Sequence, residues 1–243
     1  MTVLEKELSW YIERLEKGEY FSFPGFSDSE WMCMIGVNLG STSAAGQYHS
    51  KEIGAKLREA VKYKDENYLR AVPKIILGHP IGTYIKDYSR ERFGKDEVFY
   101  ERDMVTDDLA ARAGLAPLIR QLRKMDVILV GNHKLSGVQH ILNYKEFYGI
   151  SSPNFHMEEG AAETLVKRIL DAGKEAVYLF SCGMSDAPMI GELHGKIKNS
   201  FFVDCGSIWD AFVGIGAQRG WRQELYSDPK KWLDWLNQNL RDV

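Results

Sequence analysis

Apolar positions along the chain fall into two patterns, helical spacing and short continuous runs. At 3–17, leucine and aromatic side chains recur at helical spacing until Gly18, which predicts an amphipathic helix that ends near the glycine. Short apolar runs bounded by turn residues predict buried strands, and the clearest of these is 126–131. The other predicted strands lie at 20–26, 71–78, 176–182 and 201–205. The other predicted helices lie at 28–39, 50–66, 106–124, 136–147, 157–172, 185–198 and from Pro229 onward.

Strands and helices alternate along most of this order, which is typical of a mostly parallel sheet with helices on both faces. At 243 residues the chain can bury a full core, so we predict an α/β fold in a single domain over residues 1–243. Region 80–103 shows little periodicity and could be a lid, an acceptor-binding loop or a surface connection. Its aromatic residues suit a sugar-binding platform, although core packing would explain part of them: Tyr84, Tyr88, Phe93, Phe99 and Tyr100.

Charge and cysteine usage restrict the class of protein. With 31 basic and 34 acidic side chains the formal net charge is −3, which argues against a sequence-wide affinity for nucleic acid. Cys33, Cys182 and Cys205 form neither an even set nor a closely spaced metal-ligand pair, which favours reduced thiols in a cytoplasmic protein. The N-terminal residues lack a signal-peptide pattern, and no run of about 18 apolar residues predicts a membrane span.

Segment 22–31 places two carboxylates, Asp28 and Glu30, between an apolar extended stretch and an apolar run. In an extended backbone, residues two apart point to the same side, so the pair could face one cation. Mg²⁺ and Mn²⁺ prefer carboxylate oxygens and keep positions open for phosphate oxygens. The same residues fit a helix capping box, in which Ser27 and Glu30 each bond to the other's amide. Spacing alone favours the capping box.

The segment resembles the signature of the GT-D type glycosyltransferases, an apolar strand followed by Arg-Phe/Tyr-Gly-Asp-Gly-Glu and then Trp or Phe. Four residues match that pattern: Phe26, Asp28, Glu30 and Trp31. Gly25 stands where the family has arginine, and Ser27 and Ser29 replace the two glycines. The resemblance implies a Rossmann-like domain in which the retained acidic pair binds Mn²⁺ or Mg²⁺. The contact of the missing arginine has no counterpart at position 25.

A second stretch of the same resemblance lies toward the C-terminus. A predicted strand runs into 181–183, a helix follows, and another strand runs into 204–207. Asp204 or Asp210 is predicted to act as a base or to contact a sugar hydroxyl. Arg219, a little further on, is predicted to contact a diphosphate because a guanidinium pairs bidentately with phosphate oxygens.

Several predicted strands end in small or polar residues, and ligands of open parallel sheets bind beyond the carboxyl ends of the strands. Glycines there let the backbone approach a phosphate, and the N-termini of the following helices favour anions. Glycines at these positions also simply mark strand-to-helix turns. The predicted donor contacts are Ser27, Gly131, Asn132, Ser181, Gly183, Gly206, Ser207 and Arg219.

The resemblance implies a metal-dependent glycosyltransferase that uses a nucleotide-diphosphate sugar, with a UDP-sugar as the expected donor and a glycan as the expected acceptor. Two alternatives remain. One is transfer to hydroxymethylated pyrimidine bases of viral DNA. A possible basic helix face for DNA consists of Lys51, Lys56, Arg58, Lys62 and Lys64. The other is a non-catalytic nucleotide-binding protein, which the altered residues 25, 27 and 29 would allow.

Overall fold

The eight described strands form a three-stranded and a five-stranded sheet, and every pair of neighbouring strands runs parallel. The computed structural model describes residues 1–37, 39–41, 43, 46–102, 114–151, 154–215 and 240. The strands are β1 (Thr2–Leu4), β2 (Ser22–Phe23), β3 (Ala71–Val72), β4 (Val98–Glu101), β5 (Val127–Asn132), β6 (Glu146–Ile150), β7 (Val177–Ser181) and β8 (Phe201–Asp204). The helices are α1 (Leu8–Lys17), α2 (Asp28–Ile35), α3 (Lys51–Val61), α4 (Lys74–Gly78), α5 (Ile81–Phe93), α6 (Ala116–Leu122), α7 (Gln139–Leu142), α8 (Ala161–Ala172) and α9 (Asp186–Leu193). Short 3-10 helices lie at His133–Val138, Phe155–Met157, Gly183–Ser185 and Asp210–Val213.

The strands fall into two groups, and β2, although near the N-terminus, belongs to the group of C-terminal strands. One group has the order β1-β4-β3, and the other has the order β2-β8-β7-β5-β6. Backbone hydrogen bonds join the groups, because the Leu69 amide donates to the Ser22 carbonyl at 2.7 Å and the Phe26 amide donates to the Ala71 carbonyl at 2.8 Å. The two sheets therefore adjoin each other between β3 and β2. Because β2 also pairs with β8, strands from the N-terminal part of the chain meet strands from the C-terminal part between β2 and β8. We call this junction the seam.

Alternate residues of the central strands enter two apolar layers on opposite faces of the sheet. Val127 and Leu129 of β5 pack in one layer, and Ile128 and Val130 pack in the other. Side chains of α1, α6 and α7 complete the first layer, and side chains of α8 and α9 complete the second. Burial on both faces explains the continuous apolar runs. The predicted parallel sheet with helices on both faces is confirmed.

A third apolar cluster packs helices against the N-terminal strands. Trp31 and Met34 of α2, Leu57 of α3 and Phe99 of β4 are all buried in it. This cluster fixes α2 directly after the end of β2, so the N-terminal turn of α2 lies at the carboxyl edge of the sheet.

Two strand and loop predictions in the N-terminal half are wrong. The strand predicted at 71–78 ends at Val72, because Pro73 has no amide to donate to the ladder, and α4 follows it. Region 80–103 is not an aperiodic loop but contains α5 and β4. The helix predicted at 3–17 begins only at Leu8, because residues 2–4 form β1 beside β4.

One helix prediction in the C-terminal half is also wrong. Of the helix predicted at 136–147, residues 136–138 belong to a 3-10 helix, α7 follows, and the helical stretch ends at Asn143 with a φ of 51°. The strand β6 follows, at the edge of the sheet. The predicted helix from Pro229 and the first part of the helix predicted at 106–124 lie outside the described residues.

Two smaller expectations concern the cysteines and the membrane. All three cysteines are buried and free of disulfides, as predicted. Within the described ranges, none of the helices combines the length and the apolar character that crossing a bilayer requires.

Candidate active site at the seam

The carboxyl ends of β2 and β8 lie next to each other at the seam, and both run into glycine and polar residues. The chain leaves β2 through Gly25 to Ser27, and β8 ends at Asp204 before Gly206. α2 begins directly after Ser27. Ligands of open parallel sheets bind beyond the carboxyl ends of strands at such a junction.

The Asp204 carboxylate is the centre of the hydrogen bonding at the seam. Its Oδ2 accepts from the Gly25 amide at 3.0 Å, and its Oδ1 accepts from the Gly206 amide at 2.7 Å. Oδ1 also accepts from Nη2 of Arg102 at 2.8 Å. The side chain of Asp204 is 3% exposed. Both oxygens are therefore occupied and shielded, and the carboxylate is fixed in one orientation.

Arg102 follows β4 and reaches across the ends of β3 and β2 to Asp204. Its Nη1 donates to Oγ of Ser27, and its side chain is 12% exposed. Burial alone would lower the pKa of this guanidinium, but the carboxylates of Asp204 and Glu30 outweigh burial and raise it overall. Arg102 is therefore a cation that links the end of β4 to the ends of β2 and β8.

Two glycines make room for this guanidinium. A Cβ on Gly25 would lie 2.5 Å from both Cζ and Nε of Arg102 and closer still to Oδ2 of Asp204. A Cβ on Gly206, which has a φ of +52°, would lie 2.8 Å from Nη2 of Arg102. At position 25, where the family signature has arginine, the guanidinium of Arg102, which follows β4, thus lies against the glycine.

Ser27 and Glu30 form the capping box of α2. The Ser27 amide donates to Oε2 of Glu30 at 2.9 Å, and the reciprocal contact from the Glu30 amide to Ser27 is also present. The capping prediction is confirmed. Asp28 is the first residue of the helix and is exposed. The extended-backbone argument for the acidic pair is therefore wrong, because residues two apart on a helix do not face each other.

Glu30 still has the character of a carboxyl group that a cation would stabilise. Burial raises its pKa to about 7, while the charge of Arg102 lowers it and the charge of Asp204 raises it. The described chain contains no group of three or more His, Cys, Asp or Glu side chains that could hold a metal ion. One or two carboxylates suffice, however, for an ion that takes its other oxygens from phosphates and water. Asp28 is exposed and Glu30 is buried in the first turn of α2, so the two carboxyl groups do not form a paired metal site by themselves.

A second group of predicted residues lies at the ends of β5 and β7. Gly131 and Ser181 are register partners, and a Cβ on Gly131 would lie 3.2 Å from Cβ of Ser181. Oγ of Ser181 is buried and has no hydrogen-bond partner within the described chain. Gly183 has a φ of +65°, and the side chain of Gln47 packs directly against it. Asn132 is engaged locally, since its Oδ1 accepts at 2.9 Å from the amide two residues on.

Asp186 is a fully buried carboxyl group beside this second group. Both of its oxygens accept from the Cys182 amide, at 2.8 and 3.0 Å, which holds the turn at the end of β7. Burial raises the pKa of Asp186 well above its usual value, and the charge of Asp204 adds to the effect. Asp186 is thus coupled electrostatically to the seam.

The remaining predicted residues follow β8. Ser207 and Asp210 are half-buried, and the Asp210 amide donates to the Ser207 carbonyl at 3.1 Å. Arg219 lies outside the described residues. The structure places Ser27, Glu30, Asp204 and Gly206 at the seam, and it places Gly131, Ser181 and Gly183 at the neighbouring strand ends.

Sequence reasoning misses Arg102 and Asp186. Arg102 is missed because region 80–103 shows no clear period. A local signal is nevertheless present, since residues 98–100 are Val-Phe-Tyr, a β-branched and aromatic run that predicts a strand. A basic residue just after such a strand is at the carboxyl edge. Asp186 carries the weaker signal of an acidic residue at the start of a helix.

Comparison with known proteins gives matches of structure and not of sequence. No protein-family model matches the chain, and no curated protein matches it. A structure described as a new glycosyltransferase of domain of unknown function 1792, from Streptococcus sanguinis, matches with a TM-score of 0.64 at 14% identity, over 93% of this chain and 85% of that chain. A second structure, described as showing that the highly conserved domain of unknown function 1792 has a distinct glycosyltransferase fold, matches with a TM-score of 0.62 at 13% identity, over 93% and 82%. The chain therefore has the glycosyltransferase fold of these structures, as the motif resemblance predicts.

Proposed function

We propose that this chain is a glycosyltransferase that moves a sugar from a nucleotide-diphosphate donor to a hydroxyl group of an acceptor. The observation that carries the proposal is the seam, where Asp204, Arg102 and the start of α2 meet at the ligand-binding edge of the sheet. Solved structures that share the fold are described as glycosyltransferases. The alternative of a non-catalytic nucleotide-binding protein keeps the same site and differs only in turnover.

The carboxyl edge suits a diphosphate for electrostatic reasons. α2 turns its N-terminal amides, and with them the positive end of its dipole, toward this edge. At the neighbouring strand ends, the space beside Gly131 and Gly183 is filled by the side chains of Leu135 and Gln47, so a ligand there would contact these side chains as well as the backbone. The family resemblance supports a UDP-sugar as the donor. The donor contacts that we assign remain Ser27, Gly131, Asn132, Ser181, Gly183, Gly206, Ser207 and Arg219.

We assign Mn²⁺ or Mg²⁺ to Asp28 and Glu30 together with the donor diphosphate. A bound cation would neutralise the charge that develops on the leaving diphosphate. Glu30 supports this assignment because it is buried with a pKa near neutrality, so that a neighbouring cation would favour its ionised form. Asp28 adds an exposed carboxylate in the same helical turn.

In the transfer, the acceptor oxygen bonds to the anomeric carbon, the bond from that carbon to the diphosphate oxygen breaks, and the acceptor proton passes to a carboxylate. Asp204 is poorly placed to receive that proton, because both of its oxygens are occupied and the side chain is buried. We therefore assign the proton to Asp210, which is half-buried beyond β8, and a positioning role to Asp204.

A glycan acceptor agrees better with the surface than duplex DNA does. Tyr84 in the first turn of α5 is 66% exposed and can stack on a sugar, whereas Phe99 is in the core. Four of the five basic residues of the possible DNA-binding face are already engaged, and Lys64 among them pairs with Glu97. Lys56 pairs with Glu163, Lys62 pairs with Glu59, and Arg58 donates to the carbonyl of Met34 at 2.8 Å.

The test is a panel of UDP-, GDP- and dTDP-sugars, each measured with Mn²⁺, with Mg²⁺ and with a chelator. We expect one donor with Mn²⁺ or Mg²⁺ to raise the melting temperature, because a ligand of the folded state stabilises it. The same mixture should release the nucleoside diphosphate when an acceptor is present. Binding without release would support the non-catalytic alternative. No binding and no release would reject the function.

Two variants separate a metal ligand from a helix cap. Glu30→Gln should abolish metal-dependent transfer, and Asp28→Asn should weaken it. The control is Ser50→Ala on α3, since Oγ of Ser50 caps that helix by accepting from the Ile53 amide at 3.3 Å. Ser50→Ala should cost about 1 kcal/mol of stability and leave transfer unchanged. A Glu30→Gln protein that loses similar stability and keeps full turnover would remove Glu30 from the metal assignment.

A further inference from the structure

Placing the charged side chain of Arg102 at this largely buried position costs desolvation free energy. A buried ion pair contributes little net stability, because the desolvation of both charges offsets their attraction. The pair of Arg102 and Asp204 nevertheless closes the seam at the edge where ligands bind. A charge retained at such a position invites a functional explanation.

We infer that Arg102 is the cation that contacts the donor diphosphate, and that Asp204 and Ser27 position it for this contact. The inference rests on the proposed function and adds to it a residue directly after β4 that no motif identifies. Arg102 touches the substrate in this assignment, whereas Asp204 acts through Arg102 and is a positioning residue.

The hydrogen bonds at the seam give Arg102 and Asp204 these different roles. Asp204 accepts hydrogen bonds from two backbone amides and from the guanidinium, and it is almost completely buried. Arg102 is the more exposed partner, at 12% against 3%. A guanidinium carries five N–H donors in a rigid fork, and the contacts with Asp204 and Ser27 hold that fork in one plane. A planar fork held in this way matches the geometry of phosphate oxygens.

The two glycines support the same inference. Gly25 and Gly206 both lie against the guanidinium, and a side chain at either position would displace it. Without side chains, these residues allow the arginine to lie across the ends of the strands, beside the first turn of α2. The diphosphate would then receive the guanidinium and the positive end of the helix dipole from one direction.

The carboxylate beside the guanidinium favours a cation at this position if a diphosphate is to bind. Asp204, Glu30 and Asp186 all lie within electrostatic reach of Arg102. Burial favours the neutral forms of Glu30 and Asp186, but the Asp204 carboxylate that is paired with Arg102 would by itself repel an added diphosphate. Within the described residues, Arg102 is the basic side chain in direct contact with this group, and it is placed to offset the repulsion.

The experiment compares affinity for UDP with affinity for uridine, which lacks the diphosphate; GDP and guanosine are measured as a second pair. Titration calorimetry is run on wild type, on Arg102→Gln and on the control Arg58→Gln, in which a half-buried arginine away from the seam is changed. We expect Arg102→Gln to weaken binding of the diphosphate about ten- to a hundredfold, the loss of one charged hydrogen-bonded contact. Nucleoside affinity should stay unchanged, and Arg58→Gln should leave both affinities unchanged.

An equal loss of diphosphate and nucleoside affinity, or no loss of either, would overturn the inference and leave Arg102 as a structural clamp of the seam. Failure of the wild-type protein to bind either diphosphate would instead reject the proposed function, and this inference with it. Should Arg102→Gln not fold, the double variant Arg102→Met, Asp204→Asn removes the cation without leaving an unpaired carboxylate. The same selective loss of diphosphate affinity is expected there, and an unchanged ratio of the two affinities overturns the inference.

Discussion

The strands β2 and β8 carry a polar cluster at each end, and the two clusters use similar side chains in different backbone surroundings. At the carboxyl ends, Arg102 binds Asp204 and Ser27. At the amino ends, Oγ of Ser22 lies 2.8 Å from Nδ1 of His194. Nε2 of the same histidine lies 3.6 Å from Oδ1 of Asp65, beside a pocket of about 330 Å³.

The amino-end cluster has the side chains of a Ser-His-Asp triad without the geometry of one. Ser22 is only 1% exposed, and its amide already donates to the Asn67 carbonyl at 2.8 Å. That amide is therefore not available to stabilise an oxyanion, as a triad requires. Asp65 is half exposed and lies beyond hydrogen-bond distance. These residues fasten the amino end of β2 to the end of α9 and do not form a catalytic site.

The difference between the two ends lies in the backbone. At the carboxyl ends, the amides of Gly25 and Gly206 point at the cluster, and α2 begins beside it. At the amino ends α9 finishes, with His194 as its C-cap. The N-terminus of a helix attracts anions and the C-terminus repels them. The end of the sheet, more than the set of side chains, thus determines which cluster can hold a diphosphate.

The largest expected effect that tests this comparison comes from Asp204→Asn. This change leaves the Arg102 guanidinium buried without its carboxylate, which should cost about 3 kcal/mol of unfolding free energy. The matched change at the other end, Asp65→Asn, should cost less than about 0.5 kcal/mol because that pair is long and solvent-exposed. Urea denaturation of both variants measures the two losses. Equal losses would mean that the two clusters do not differ in the way argued above.

A smaller loss of stability is expected for Gly25→Ala, which tests whether the seam has space for a side chain beside the Arg102 guanidinium. The added Cβ would lie 2.5 Å from Cζ of Arg102, so the guanidinium must move, at a cost of about 1–3 kcal/mol. Gly78→Ala is the control, since a Cβ there would have nothing within 4 Å. Thermal unfolding should separate the two variants clearly. A Gly25→Ala protein as stable as Gly78→Ala would show that the seam has room for a side chain.

Local patterns predict the parts of the fold whose burial is uniform. β5, β7 and β8 lie inside the sheet and are buried on both faces, so each is a continuous apolar run. β6 lies at the edge, where Glu146 and Phe147 are only half-buried, and its pattern resembles a helix as much as a strand. The sequence signal therefore weakens where burial becomes one-sided.

The site divides in the same way between local and distant contacts. The capping box of Ser27 and Glu30 spans three positions and can be predicted from spacing. The pair of Arg102 and Asp204 is separated by 102 positions, and only the strand order brings these residues together. The reason for a glycine at position 25 depends on that same distant arginine. Such residues become interpretable only after the topology is known.

A third prediction concerns Ser22→Ala at the amino end. Removing Oγ leaves Nδ1 of the partly buried His194 without this partner, which should cost about 1 kcal/mol. Donor affinity and transfer should stay at wild-type values, because the change lies at the opposite end of β2 from the seam. Measuring stability and nucleotide affinity in one preparation tests both statements. A marked loss of donor affinity would contradict the assignment of binding to the carboxyl end alone.

The smallest expected effect is a pH dependence that arises from His194. Burial lowers its pKa from 6.5, and Asp65 offsets this only in part. The folded state therefore favours the neutral ring, and below pH 6.5 the unfolded chain binds more protons than the folded chain. The stabilising contribution of the neutral His194 ring is complete above pH 6.5 and is lost as the pH falls through the folded-state pKa.

Glu30 changes stability in the opposite sense between pH 4.5 and about 7, because its folded-state pKa is raised. The contribution of His194 must therefore be obtained as the difference between wild type and a variant that lacks the histidine. We repeat urea denaturation from pH 7.5 down to pH 5 and expect His194→Gln to lose less stability than wild type over that range. The seam variants leave the amino-end cluster intact, so the contribution of His194 should be the same in them as in wild type. Parallel stability curves for wild type and His194→Gln would show that the amino-end cluster does not titrate as its burial requires.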